Sequence, residues 1–153
     1  MNHRRGFTII ELITVMILIG ILSAIAVLKY IDITRVARTA QVAGAFGVVR
    51  IAAWNYEADH QNTWPADASP GVVPPEMVPY LPAGFAFTNQ FYTLDWENFT
   101  AGGGGAGFQL GITVTSTDSV LVKKLIDRLG GDAPFFVNGN SLTYILIDAS
   151  GNY

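Results

Sequence analysis

The sequence predicts an α+β chain: one long N-terminal helix, its first half apolar enough to cross a membrane, with an antiparallel β-sheet packed on its C-terminal half. Three observations carry this. The 22 residues from Phe7 to Leu28 contain one ionisable side chain, Glu11. No proline interrupts the chain before Pro65. Beyond the prolines, short runs alternate apolar and polar residues, with glycine and asparagine between them.

Composition sets the frame. Half of the 153 residues are apolar and 14% are charged, greasy for a soluble domain, and the excess is local. At ~1.5 Å per residue the Phe7–Leu28 run reaches ~33 Å, the thickness of a bilayer's hydrocarbon core. Continued to Asp59, the helix would be ~75–80 Å long, more than a small domain can bury. Its first half therefore needs lipid or neighbouring copies. In the second half a stripe at Val36, Ala40, Ala43, Gly47, Ile51 and Trp54 has helical spacing and is expected to face the sheet. Trp64-Pro65 after Asn62 marks the stop.

Residues 64–84 hold six of the seven prolines (65, 70, 74, 75, 79, 82) and read as an extended connection. Strands are expected at Phe85–Thr88, Phe91–Trp96, Phe108–Thr115 and Leu142–Ile147, with a glycine turn at Gly102–Gly105. A short helix capped by Asp118 carries Val120, Leu121, Lys124, Leu125 and Leu129 and ends at Gly130-Gly131. The domain plan is thus residues 1–6 as a polar, basic leader, 7–28 as the membrane-spanning half of the helix, 29–59 as its amphipathic half, and 60–153 as a globular α/β head.

Charge is segregated along this plan. Lys29, Arg35, Arg38 and Arg50 against Asp32 give +3, whereas Lys123, Lys124 and Arg128 against ten acids from Glu57 onward give −7. A basic stem and an acidic head can attract one another between subunits. The acidic head also opposes direct nucleic-acid binding, which needs clustered lysine and arginine.

The most informative stretch is Arg4-Arg5-Gly6-Phe7-Thr8-Ile9-Ile10-Glu11-Leu12. It closely resembles the processing site of type IV pilins and type II secretion pseudopilins, a basic leader and Gly-Phe-Thr-Leu-Ile-Glu before an apolar helix, with Ile9 in place of the leucine. The resemblance covers residues 1 to about 35; beyond that only the architecture, the pilin fold, is shared. It implies cleavage by a membrane prepilin peptidase between Gly6 and Phe7, and N-methylation of Phe7. It further implies assembly with the same or homologous pilin subunits on an inner-membrane platform. The chain would be a single-pass inner-membrane protein with an extracytoplasmic head and a lipid-embedded helix, then part of a periplasmic or extracellular filament. The flanking charges, Arg4 and Arg5 before the span and Lys29, Arg35 and Arg38 after it, do not set that orientation by themselves.

Glu11 is the anchor of the assembly argument. A charged, unpaired carboxylate inside an apolar span costs roughly 2.5 kcal/mol or more, so it should have a partner. Cleavage would create one, the α-amino group of Phe7, and the resemblance implies that in a filament the amine of an adjacent subunit fills that role. A glutamate snorkelling to the membrane edge is the alternative. Gly20 and Ala24 have the small-xxx-small spacing that lets helices approach. Many pilins carry proline shortly after the Ala24-Ile25-Ala26 stretch; here Leu28 occupies that place, and whether the stem melts on assembly stays open.

Catalysis has little to stand on. There is no cysteine, which excludes thiolate chemistry, cysteine-ligated zinc and disulfides. His60 is the one histidine outside the leader, which holds His3, and no nucleophile elbow is present. No cofactor is expected. A calcium loop around Asp95, Glu97 and Asn98 is the weakly supported exception, and Asn98-Phe99-Thr100 fits a glycosylation sequon. The competing reading is a secreted or membrane-anchored binding domain with an ordinary signal peptide, residues 8–22 supplying the apolar region and Ala24-Ile25-Ala26 the cut before Val27. Glu11 interrupts that region near its start, and the helical pattern runs past the cut. A filament subunit fits better, with pilus and secretion pseudopilus both open.

Overall fold

The computed structural model describes residues 6–61, 63–100, 108–131, 133–148 and 150–152. The basic part of the leader and the Gly102–Gly105 turn lie outside them. Two compact units divide at Arg35/Val36, within a single continuous helix, α1 (Ile9–Asp59). α1 passes unbroken through Leu28, where no proline removes a hydrogen bond.

In the second unit, β1 (Thr93–Asn98), β2 (Phe108–Thr115), α2 (Ser119–Leu129), β3 (Phe135–Asn138) and β4 (Ser141–Asp148) follow in sequence. The sheet is antiparallel throughout, in the order β1-β2-β4-β3. Alternation decides its faces. Leu94 and Trp96, Leu110, Ile112 and Val114, and Leu142 and Leu146 are buried, in one core with Phe46 of α1 and Leu121 and Leu125 of α2. The other face carries a polar row in register, Asp95 opposite Thr113 opposite Thr143, tied by a Thr113–Thr143 hydroxyl bond of 2.7 Å. α2 starts where expected: Asp118 accepts from the Val120 amide at 3.0 Å, and Gly130 ends the helix at φ 82°.

Three expectations change. The sheet takes a different face of α1. Thr39, Val42, Phe46, Val49 and Ala53 are buried, with Ala45 and Ala52, while Val36 and Ile51 of the expected stripe are 52% and 56% exposed. From Thr39 to Ala53 the helix is small or apolar nearly all round, so its periodicity marks no single face; Phe46, the largest side chain there, sets the rotation by stacking on Tyr144 of β4, centroids 5.9 Å apart. Phe85–Thr88 forms one isolated bridge, Thr88 to Thr93, and the strand after it begins at Thr93 instead of Phe91. The Asn89 side chain closes a tight turn by accepting from the Phe91 and Tyr92 amides, and the Leu94 carbonyl bonds to the Gly71 amide at 2.8 Å. Gly71 sits at φ +83°, and a Cβ there would collide with Thr88 Oγ1. Finally, β3 adds a strand that the sequence reading omitted, joined to β4 through Gly139 at φ 58°. The proline-rich connection also contains a 3-10 turn, Pro75–Tyr80, whose Met77 enters the core.

Candidate processing and assembly site

α1 begins at Ile9 for a local reason. The Thr8 amide and hydroxyl both donate to Glu11 Oε2, at 2.8 and 2.7 Å, and the Glu11 amide donates back to Thr8 Oγ1 at 3.3 Å. This is a capping box, Thr at the cap and Glu three residues on, which satisfies amides that the first helical turn leaves orphaned. Glu11 is therefore partnered within its own chain. Both bonds from Thr8 fall on Oε2, and Oε1 accepts none among the described residues. The T-x-x-E spacing was present in the sequence as the signal for this arrangement.

Gly6 and Phe7 precede the helix in non-helical backbone. Phe7 is 82% exposed, and a Cβ built on Gly6 would meet no atom within 4 Å. Among the described residues nothing covers the peptide bond between them, next to the capped helix start.

From Leu12 to Leu28 the first unit presents apolar side chains nearly all round. Its most apolar 18-residue window has a mean hydropathy of 2.6 and none of it is buried. Ile10, Met16 and Leu22 are 69%, 73% and 66% exposed. The hydroxyl of Thr14 is satisfied by the Ile10 carbonyl at 2.8 Å, so it adds no unmet polar group. A Cβ at Gly20 would also meet open space.

The remaining candidates are occupied structurally. His60 stacks on Tyr56, centroids 4.0 Å apart, with Nδ1 2.8 Å from the Tyr56 carbonyl oxygen. Asn98 donates to the Pro65 carbonyl at 2.6 Å and accepts from the Thr100 amide and hydroxyl, which engages the sequon asparagine on both sides. Glu97 accepts from Thr113 at 2.9 Å. Asp95 has a buried Oδ1 without a hydrogen bond among the described residues. Burial, then the charges of Glu97 and Asp67, push its pKa up to about 7 from the ordinary 3.8. Among the described residues no group of three His, Cys, Asp or Glu is arranged to hold a metal ion.

Residues 1–27 match the family model for the prokaryotic N-terminal methylation motif, the prepilin-type leader of type IV pilins and pseudopilins. Neither the curated proteins nor the solved structures contain a match to the chain.

Proposed function

We propose that this chain, whose prepilin-type leader joins a long apolar helix, is a filament subunit, cut between Gly6 and Phe7 by prepilin peptidase, methylated on Phe7 and polymerised through α1. The observation that carries the reading is the conjunction of the methylation motif over residues 1–27 with an apolar helical segment of which no part is buried among the described residues. Before assembly, lipid covers it; in a filament, neighbouring helices do. The head is extracytoplasmic, and the partners are an inner-membrane platform and the same or homologous subunits. No cofactor is assigned.

The capping box refines the role of Glu11. Thr8 occupies Oε2, and Oε1 remains for an amine brought by a neighbour. In lipid the carboxylate lies near the membrane edge; among packed helices a charge is tolerated only when paired. Breaking a buried pair costs ~3–5 kcal/mol because one charge is stranded. Even ~3 kcal/mol per contact is more than a hundredfold in the constant for adding each subunit.

The test is Gly6→Leu, expressed with the native assembly machinery. A bulky side chain at the uncovered bond leaves full-length precursor in the membrane and no sheared filaments. Wild-type processing of Gly6→Leu would contradict the assigned bond.

A further inference from the structure

Two patches on the second unit have no partner among the described residues. The first is a socket of about 130 Å³ lined by Ala43, Phe46, Gly47, Arg50, Leu129 and Tyr144. That is too small for a cofactor, since small-molecule sites run to ~300–1,000 Å³. Its floor is open because Ala43 and Gly47 are small, and a Cβ on Gly47 would meet nothing within 4 Å. Its one charge is Arg50, whose guanidinium lies 5.0 Å from the Trp54 ring and whose buried Nε has no hydrogen bond. Among the described residues Arg50 has no carboxylate partner.

The second patch is a ridge on the proline-rich connection, where Val72 and Val78 are 52% and 58% exposed. Glu76 lies between them with a buried Oε2 that has no hydrogen bond partner, and it too makes no ion pair among the described residues. The ridge is held to α1 through Tyr80, which donates to Asp59 at 2.8 Å. Asp59 is nine residues beyond Arg50, about 180° round a helix of 3.6 residues per turn. The charge of the socket and the anchor of the ridge are therefore about 180° apart around α1.

We propose that the ridge of one copy seats in the socket of the next, Val78 entering the apolar space over Gly47 while the Glu76 carboxylate meets the Arg50 guanidinium. The pairing uses the terminal nitrogens of Arg50 and the second oxygen of Glu76. A cationic apolar socket and an anionic apolar ridge are complementary, and complementary charge selects partner and register. Because the two patches differ, each pairing leaves one socket and one ridge free. Such a heterologous contact propagates from copy to copy and gives an open helical filament when its rotation does not close into a ring, as the filament reading requires. The inference rests on the filament reading and names the contact between heads within it.

The experiment uses the full chain with its native assembly machinery. The protein has no cysteine, so introduced cysteines report only on themselves, and both Gly47 and Val78 accept one without a clash, given the open space and the exposure above. Sheared filaments of the double variant Gly47→Cys/Val78→Cys, oxidised, give a ladder of covalent dimers, trimers and longer species, whereas each single variant gives none. Separately, Arg50→Glu and Glu76→Arg, which place like charges together, each lower filament yield roughly tenfold or more, and Arg50→Glu/Glu76→Arg restores it. Filaments of the Gly47→Cys/Val78→Cys variant formed at wild-type yield but with no 47–78 cross-link on oxidation, or a dimer from Gly47→Cys alone, would overturn the contact while leaving the filament reading standing. A wild-type chain that is processed but never polymerises would overturn both.

Discussion

Glu11 caps α1, the function proposed above gives the same carboxylate a second job, and the two can be separated. Capping needs an acceptor at that position, which glutamine supplies as well as glutamate. Pairing with an amine needs the charge. Glu11→Gln is therefore expected to keep the helix start, insert and be cut like the wild type, yet fail to enter filaments. Sheared filaments quantified against the membrane pool check this, and wild-type yield would show that Glu11 only caps and snorkels. Asp95 is the second residue with an assignable consequence. Its folded pKa, about 7, lies above the ordinary 3.8, so between those values the folded chain binds more protons than the unfolded one. Stability is then fully present below pH ~4, falls as pH rises to ~7 and is flat above. Melting in detergent should give a higher midpoint at pH 5 than at pH 8, and Asp95→Asn should raise the pH 8 midpoint and shrink the difference. An unchanged difference in that variant would place the pH dependence elsewhere.

At the scale of elements, α2 depends on its cap. Asp118→Ala removes the acceptor for the Val120 amide and should cost about 0.5–2 kcal/mol, measured by chemical denaturation. Trp96 is a heavier test of the sheet. It is fully buried and its Nε1 donates to the Pro65 carbonyl at 3.0 Å. Trp96→Ala should lose about 3–5 kcal/mol, while Asn98 and the Gly71 amide still tie the proline-rich connection to β1. These elements also show what a sequence can carry. α2 was readable from both ends, because Asp118 and Gly130 perform fixed backbone tasks there. β2 was readable from strict alternation at Leu110, Ile112 and Val114. The buried face of α1 was not, because a helix small and apolar on every side can rotate without changing its pattern. β3 has four residues after Pro134 at a sheet edge, too few for a period, although Asn138-Gly139-Asn140 before a strand was a usable hairpin signal. At the processing site, Gly6, Phe7 and Glu11 stood out as a string, but the bond between Thr8 and Glu11 is a three-residue reciprocity that hydropathy does not register.

The chain joins a helical segment that is apolar from Leu12 to Leu28 to a head with its own core. The first unit ends at Arg35, and the second contains every residue of the hydrophobic core. A fragment of residues 30–153 should therefore fold with a cooperative melt and without metal or disulfide. Persistent random-coil circular dichroism would mean that the head needs the apolar helix. On the function proposed above, the apolar half acquires its surroundings twice, first from lipid and then from other subunits, and cleavage after Gly6 supplies the amine that distinguishes the second environment from the first. That claim stands on where the mature chain begins. Intact-mass and N-terminal analysis of the protein from membranes or sheared filaments should show a chain starting at Phe7 with a methylated amine; a chain starting at Val27, the product of an ordinary signal-peptide cut after Ala26, would contradict it.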